Sequence, residues 1–268
     1  MRLKENYQIQ HVLQRAGYYD ISRIANEIQS YCDNTDLPIE DILDRIKSGE
    51  PWEYICEYTE FRGNTFNVTN KTLIPRIETE QIVHIALEMI KNRKIPYSRI
   101  IDVGTGSGCI ITSLVKELGT GFLEKPNGYY IATDISREAL TIARMNAKSN
   151  KVDKLIKFKK EDLIDKEDIV DNILIIANLP YIPRRMYMDL DRSVKDFEPR
   201  LALDGGEDGL SYYKKLISII RNSKKKNIDL LFEIEPSTLE ILKDHMGERF
   251  KVFKDFRGME RFILLHLS

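Results

Sequence analysis

Ile101-Asp102-Val103-Gly104-Thr105-Gly106-Ser107-Gly108-Cys109 is the stretch from which the rest of the chain can be organised. It continues an apolar run that begins at Arg99 and reads as a buried strand, and it opens a helical pattern. Glycines at 104, 106 and 108 let the backbone turn tightly and come close to a ligand. The spacing is G-x-G-x-G, not the G-x-G-x-x-G of dinucleotide sites, and no lysine followed by serine or threonine makes it a P-loop. Such a turn marks a place for a ligand without saying which one.

Downstream, strand candidates at residues 99–103, 129–133, 156–159, 173–177 and 229–234 alternate with helical stretches such as 136–149, where Leu140, Ala143 and Ala147 share a face. That alternation predicts an α/β fold, a parallel sheet covered by helices on both sides. Residues 250–255 and 260–267, with Arg257-Gly258 between them, read as an antiparallel pair closing the sheet. Upstream, Ile21, Ile24, Ala25, Ile28 and Cys32 follow helical spacing behind Asp20, an N-cap candidate. Ile39, Ile42, Leu43 and Ile46 repeat the pattern after Pro38, which suits a first helical turn, and Gly49 marks the stop. An earlier helix runs from about Leu3 to Ala16. Glu60-Phe61-Arg62-Gly63-Asn64-Thr65-Phe66-Asn67-Val68 reads as a hairpin. The expected organisation is a helical bundle at 1–50, a hairpin linker at 51–76 and an α/β domain at 77–268.

The 268 residues are 42% hydrophobic and 31% charged, enough apolar material for a large core and too much for a disordered chain. No apolar run reaches the roughly 18–20 residues that span a bilayer, and the first residues do not read as a signal peptide. Forty-one basic residues against 42 acidic give a net charge of −1, so no basic excess suggests a nucleic-acid partner. The lysines at 151–160 and Lys224-Lys225-Lys226 read as solvated surface. Cys32, Cys56 and Cys109 are scattered, as are the four histidines, which points to neither zinc nor disulfides and to the reducing cytoplasm.

Asp134 ends the second strand of the α/β region, where an acid can accept hydrogen bonds from both ribose hydroxyls or cap the helix that starts at Ser136. With the glycine turn upstream, the ribose role is the one expected. Glu161-Asp162-Leu163 follows the third strand, where an adenine could be held by a side chain and an apolar edge. Asn178-Leu179-Pro180-Tyr181 follows the fourth, beside the glycine turn. There an Asn oxygen and an adjacent backbone carbonyl form two acceptors aimed at an NH2 group, with Tyr181 as a flat packing surface.

Together these pieces resemble a class I S-adenosylmethionine-dependent methyltransferase of the group with an Asn/Asp-Pro-Pro-Tyr motif, which methylates planar NH2 nitrogens. Thr72-Leu73-Ile74-Pro75-Arg76-Ile77-Glu78-Thr79-Glu80 resembles the P-R-P-E-T-E signature of the PrmC/HemK family, N(5)-glutamine methyltransferases of peptide-chain release factors. Phe197-Glu198-Pro199-Arg200 through Gly209-Leu210, and Arg257-Gly258-Met259-Glu260-Arg261, are similar to further segments of that family. The resemblance runs over most of the chain. It implies a Rossmann-like, mostly parallel seven-stranded sheet with an antiparallel last strand, behind a helical bundle that docks substrate. It implies S-adenosylmethionine as methyl donor, S-adenosylhomocysteine as product and no metal. The implied cofactor contacts are Asp102, Gly104, Thr105, Gly106, Ser107, Gly108, Asp134, Asp162, Leu163 and Asn178. Substrate and catalytic contacts fall on Asn178, Leu179, Pro180 and Tyr181.

The reaction so implied is methylation of the glutamine amide in the Gly-Gly-Gln loop of a release factor, by a cytoplasmic monomer with no nucleic-acid or membrane partner. Leu179 replaces the motif's first proline, Ile77 the second proline of P-R-P-E-T-E, Leu163 a common aromatic, and Glu235-Pro236-Ser237-Thr238 a usual glycine. A ribosomal protein is the alternative glutamine substrate. A DNA N6-adenine methyltransferase would need a target-recognition region and a basic cleft, and residues 1–75 offer neither. A non-catalytic adaptor has only Leu179 in its favour, and a dinucleotide oxidoreductase leaves Asn178-Leu179-Pro180-Tyr181 unexplained.

Overall fold

The computed structural model describes residues 2–119, 129–246 and 250–267. It begins with helices α1 (Arg2–Arg15), α2 (Ile21–Thr35) and α3 (Ile39–Ser48). The stripe on α2 is buried, and Ile24, Ala25 and Ile28 pack with Ile9, Leu13, Ile42, Leu43 and Ile46 into a core of their own. Two helix starts differ from expectation. Asp20 holds the N-cap position, but its carboxylate accepts from Arg23 Nε at 2.9 Å and leaves the backbone N–H groups alone. Pro38 is itself the N-cap of α3, with ψ 137°, so its ring precedes the helix. A short α4 (Trp52–Cys56) closes the bundle, and buried Trp52 donates its Nε1–H to Glu27 at 2.9 Å.

The hairpin forms as predicted, with β1 (Tyr58–Phe61) antiparallel to β2 (Asn64–Asn67) around Arg62-Gly63. Phe61 and Phe66 meet edge to face at 6.1 Å and sink into the main core beside α5 (Glu80–Lys91). Within residues 51–76, Phe61 and Phe66 thus share the sheet region's core, while Trp52, Ile55 and Cys56 pack into the bundle's.

The sheet region runs β3 (Arg99–Val103), α6 (Cys109–Leu118), β4 (Tyr129–Asp134), α7 (Arg137–Ser149), β5 (Ile156–Lys160), β6 (Ile173–Ala177), α8 (Arg184–Tyr187) and α9 (Arg192–Lys195). It continues through α10 (Ser211–Asn222), β7 (Ile228–Glu233), α11 (Leu239–Met246), β8 (Phe250–Lys254) and β9 (Glu260–Leu267). Seven strands lie in the order β5-β4-β3-β6-β7-β9-β8, with β3 to β7 parallel and β9 antiparallel to both neighbours. Strands such as Ile-Leu-Ile-Ile-Ala at 173–177 are apolar throughout because both faces are covered. Leu174 and Ile176 face the core under α5 and α6, while Ile173 and Ile175 face the core under α10. Each such side chain contributes roughly 1.5–3 kcal/mol by leaving water. Since β4 and β6 flank β3, the winding direction reverses there, and a crevice opens beyond the strand ends. No helix among the described residues is long and apolar enough to cross a membrane.

Candidate active site

At that crevice lies a cavity of ≈ 320 Å³, bordered by the glycine turn, the ends of β4, β5 and β6, and the segment before α5. Gly104 and Thr105 both donate N–H to the Thr133 carbonyl, at 2.9 and 2.8 Å, which anchors the turn on β4. Gly104 sits at φ +72°, and a Cβ there would lie 2.7 Å from Leu179 Cδ2. The left-handed φ favours glycine here, and a side chain would also have to displace the Leu179 methyl. Asn146 of α7, fully buried, donates to the Ser107 carbonyl at 2.8 Å and accepts from the Asn67 N–H at 2.7 Å. It thereby ties the hairpin to the turn.

Asp134 does not cap α7. Ser136 does, accepting from Ala139 N–H at 3.1 Å. The Asp134 carboxylate instead accepts from Gly106 N–H at 2.9 Å and Ser136 N–H at 2.8 Å. Burial pushes its pKa up against those bonds. Leu163 borders the cavity at φ +74°, its carbonyl held by Thr133 Oγ1 at 2.6 Å. Asp162 also lies on the wall, with its carboxylate 2.6 Å from Lys215 Nζ. Cys109 is a wall residue too, but burial pushes its thiol up to about 12, so it stays protonated.

Gly104, Thr105, Gly106, Ser107, Asp134, Asp162, Leu163, Asn178, Leu179 and Pro180 all border the cavity. Three predicted contacts do not border it. Asp102 is buried beneath the turn, accepting from Thr105 Oγ1 at 2.6 Å, and its dry surroundings push it up to about 7. Gly108 faces away, packed so that a Cβ would lie 3.0 Å from that of Ala143. Tyr181 turns its hydroxyl to Glu233, 2.9 Å from Oε1.

Glu233, Thr79 and Tyr213 carry the geometry that sequence reading missed. Glu233 ends β7 and is 1% exposed; its Oε2 accepts from Thr79 Oγ1 at 2.9 Å. Thr79 Oγ1 in turn accepts from Asn178 Nδ2 at 3.2 Å. Tyr213 donates to the Glu233 backbone carbonyl at 2.5 Å and accepts from Leu179 N–H at 3.0 Å. The available signals were a glutamate inside an apolar strand and the threonine of Ile77-Glu78-Thr79-Glu80. Glu198 locks the wall segment, ion-paired to Arg76 and accepting from Ile74 N–H at 3.2 Å. Pro180 is crowded from behind, since a Cβ on Gly205 would lie 2.7 Å from its carbonyl.

Asn178 and Leu179 border one corner of the cavity and bring to it two acceptor groups, the Asn178 amide oxygen and the Leu179 carbonyl. The Asn178 NH2 is spent on Thr79, and among the described residues no donor holds its Oδ1. The Leu179 carbonyl lies 3.3 Å from the Tyr213 hydroxyl, whose single proton goes to the nearer Glu233 carbonyl.

Comparison with known proteins bears on the family. A family model described as a methyltransferase domain matches residues 96–231. The catalytic domain of hMettl16, solved in complex with MAT2A 3'UTR hairpin 6, shares the fold at TM-score 0.57, with 19% identity over 77% of this chain and 76% of that one. The release factor glutamine methyltransferase of Flavobacterium psychrophilum is 35% identical over 85% of this chain and 79% of its own length. That of Enterococcus faecalis is 30% identical over 96% and 91%. With the Asn-Leu-Pro-Tyr corner, the glycine turn and relatives of this identity over most of its length, the chain belongs to the release factor glutamine methyltransferase family.

Proposed function

We propose that this protein transfers a methyl group from S-adenosylmethionine to the side-chain amide nitrogen of a glutamine, in the Gly-Gly-Gln loop of a translation release factor. The observation that carries it is the pair of acceptors at Asn178 and Leu179 on the cavity wall. The cavity suits the donor chemically. Asp134 offers acceptors for ribose hydroxyls, Ile135 and Leu163 give apolar walls for an adenine, and the open space over Gly106 admits a ligand against the backbone. S-adenosylmethionine supplies the methyl as an electrophile on a positively charged sulfur.

A glutamine amide nitrogen is weakly nucleophilic because its lone pair is delocalised into the carbonyl. With both N–H bonds directed at Asn178 Oδ1 and the Leu179 carbonyl, the lone pair is turned out of those bonds toward the methyl. Positive charge then grows on nitrogen facing two fixed acceptor dipoles, the reverse of an oxyanion hole. The proton leaves after transfer, when the nitrogen is acidic, so position does the work that a base would otherwise do.

The helical bundle and hairpin are read as the docking face for the protein substrate. Supporting this, a second hollow lined by Arg23, Glu27, Glu53 and Glu60 adjoins the cavity, with Pro75 bordering both.

The test is mass spectrometry. Incubated with S-adenosylmethionine and unmodified release factor, the protein should add one methyl to the glutamine of the Gly-Gly-Gln peptide. Asn178→Ala should lower that rate by roughly 10²–10³-fold, the scale of losing one fixed electrostatic partner of a transition state. An unchanged rate in Asn178→Ala removes the assignment of the corner.

A further inference from the structure

A hydroxyl has one proton to give, and an ionised carboxylate has none. Glu233 stands among two hydroxyl donors, Thr79 on Oε2 and Tyr181 on Oε1, both at 2.9 Å. While Glu233 is ionised, both hydroxyls must point their protons at it. Thr79 Oγ1 can then only accept from Asn178, so the Asn178 amide must offer its NH2 inward and keep Oδ1 for the cavity.

We infer that Glu233, acting through the Thr79 hydroxyl, is a positioning residue that fixes which end of the Asn178 amide faces the substrate. Its effect on rate rests on the glutamine reading above; the hydrogen-bond polarity does not. A protonated Glu233 could donate to Thr79, whose freed proton would then favour Asn178 Oδ1. The inverted amide would present NH2 to the substrate's own NH2, and the acceptor would be lost. The groups that set this titration are Arg261 on β9, which favours the anion, and Glu78 before α5, which opposes it, together with the bonds from Thr79 and Tyr181. Burial dominates and pushes Glu233 upward, so the switch is thrown by acidification.

Three variants test the relay in the full-length protein. Thr79→Val should lower kcat roughly 100-fold with the KM for S-adenosylmethionine unchanged, the scale of a misplaced reacting group. Thr79→Ser, which keeps the hydroxyl, should stay within about twofold of wild type. In wild type kcat should fall as Glu233 takes up its proton, while Glu233→Gln should be slower throughout and lack that acid limb. A readout free of turnover is nuclear magnetic resonance: the Asn178 side-chain amide signals should move with pH in step with the Glu233 carboxyl carbon. Thr79→Val should uncouple them. Wild-type kcat in Thr79→Val, or an Asn178 amide indifferent to Glu233, overturns the relay. If wild type methylates no release-factor glutamine while the two signals still titrate together, the relay stands and the substrate reading falls.

Discussion

Strand β7 carries a buried carboxylate near each end, Asp229 and Glu233, and the two are satisfied in opposite ways. Asp229 is ringed by a guanidinium, a phenol and an imidazole. Arg93 donates to it at 3.0 Å, Tyr97 at 2.5 Å, and His266, directly across on β9, at 2.5 Å. Glu233, at the crevice, is held by two hydroxyls, with Arg261 acting on it only through space. Asp102 on β3 also ends near the crevice with one hydroxyl donor and no cation. At the closed end of the sheet a charge is neutralised, which makes it structural. At the open end charges are held by groups that can reverse their donor and acceptor roles, which makes them titratable and usable for orienting a ligand.

The largest effect that would sharpen this contrast is on stability alone. Removing the Asp229 carboxylate leaves Arg93 half-buried without its partner. Asp229→Ala should therefore cost about 3 kcal/mol, the low end for a broken buried pair because Arg93 and His266 both reach water. Urea unfolding measures this, and kcat on folded protein should be unchanged. A loss of turnover without loss of stability would erase the distinction between the two ends.

A smaller effect concerns pH. Asp102 is pushed up to about 7, above its value in the unfolded chain. Between the ordinary carboxylate range and about 7 the folded state therefore binds more protons than the unfolded one, and stability falls as pH rises through that window. Asp102→Asn should flatten this slope, so that its melting temperature relative to wild type improves from about pH 5 to about pH 8. Scanning fluorimetry across that range is the check. Parallel slopes in the two proteins would mean Asp102 is not the buried charge it is taken to be.

These carboxylates also show where sequence reading ran out. Strands, glycine turn and Asn178-Leu179-Pro180-Tyr181 were legible because hydrophobic period and turn chemistry are local. Asp134 was legible as a polar group at the crevice, but the sequence left its capping role open, and Ser136 takes that role. The 154-residue separation between Thr79 and Glu233 has no local signature, since only the sheet order brings β7 beside the segment before α5. Asp102 is a cofactor contact that the family resemblance implies, and it does not border the cavity. Strand alternation sends its side chain into the protein instead, under Thr105.

Leu179, the residue that departs from the related motif, offers the smallest and most discriminating prediction. Its N–H donates to the Tyr213 hydroxyl at 3.0 Å, a bond that proline cannot make. Leu179→Pro would forfeit about 0.5–1.5 kcal/mol there, leaving Tyr213 its bond to the Glu233 carbonyl. Against this, a proline narrows the unfolded ensemble by about 0.4–1 kcal/mol and stiffens the corner where its φ is tolerated. It also withdraws the side chain whose Cδ2 closes on Gly104. The terms nearly cancel, so stability should change by less than about 1 kcal/mol and kcat by only a few-fold. The carbonyl proposed to accept the substrate N–H survives either way, because it belongs to the backbone. A large loss of kcat in Leu179→Pro, measured beside Tyr213→Phe, would show that the Leu179 N–H, through Tyr213, is what aims that carbonyl.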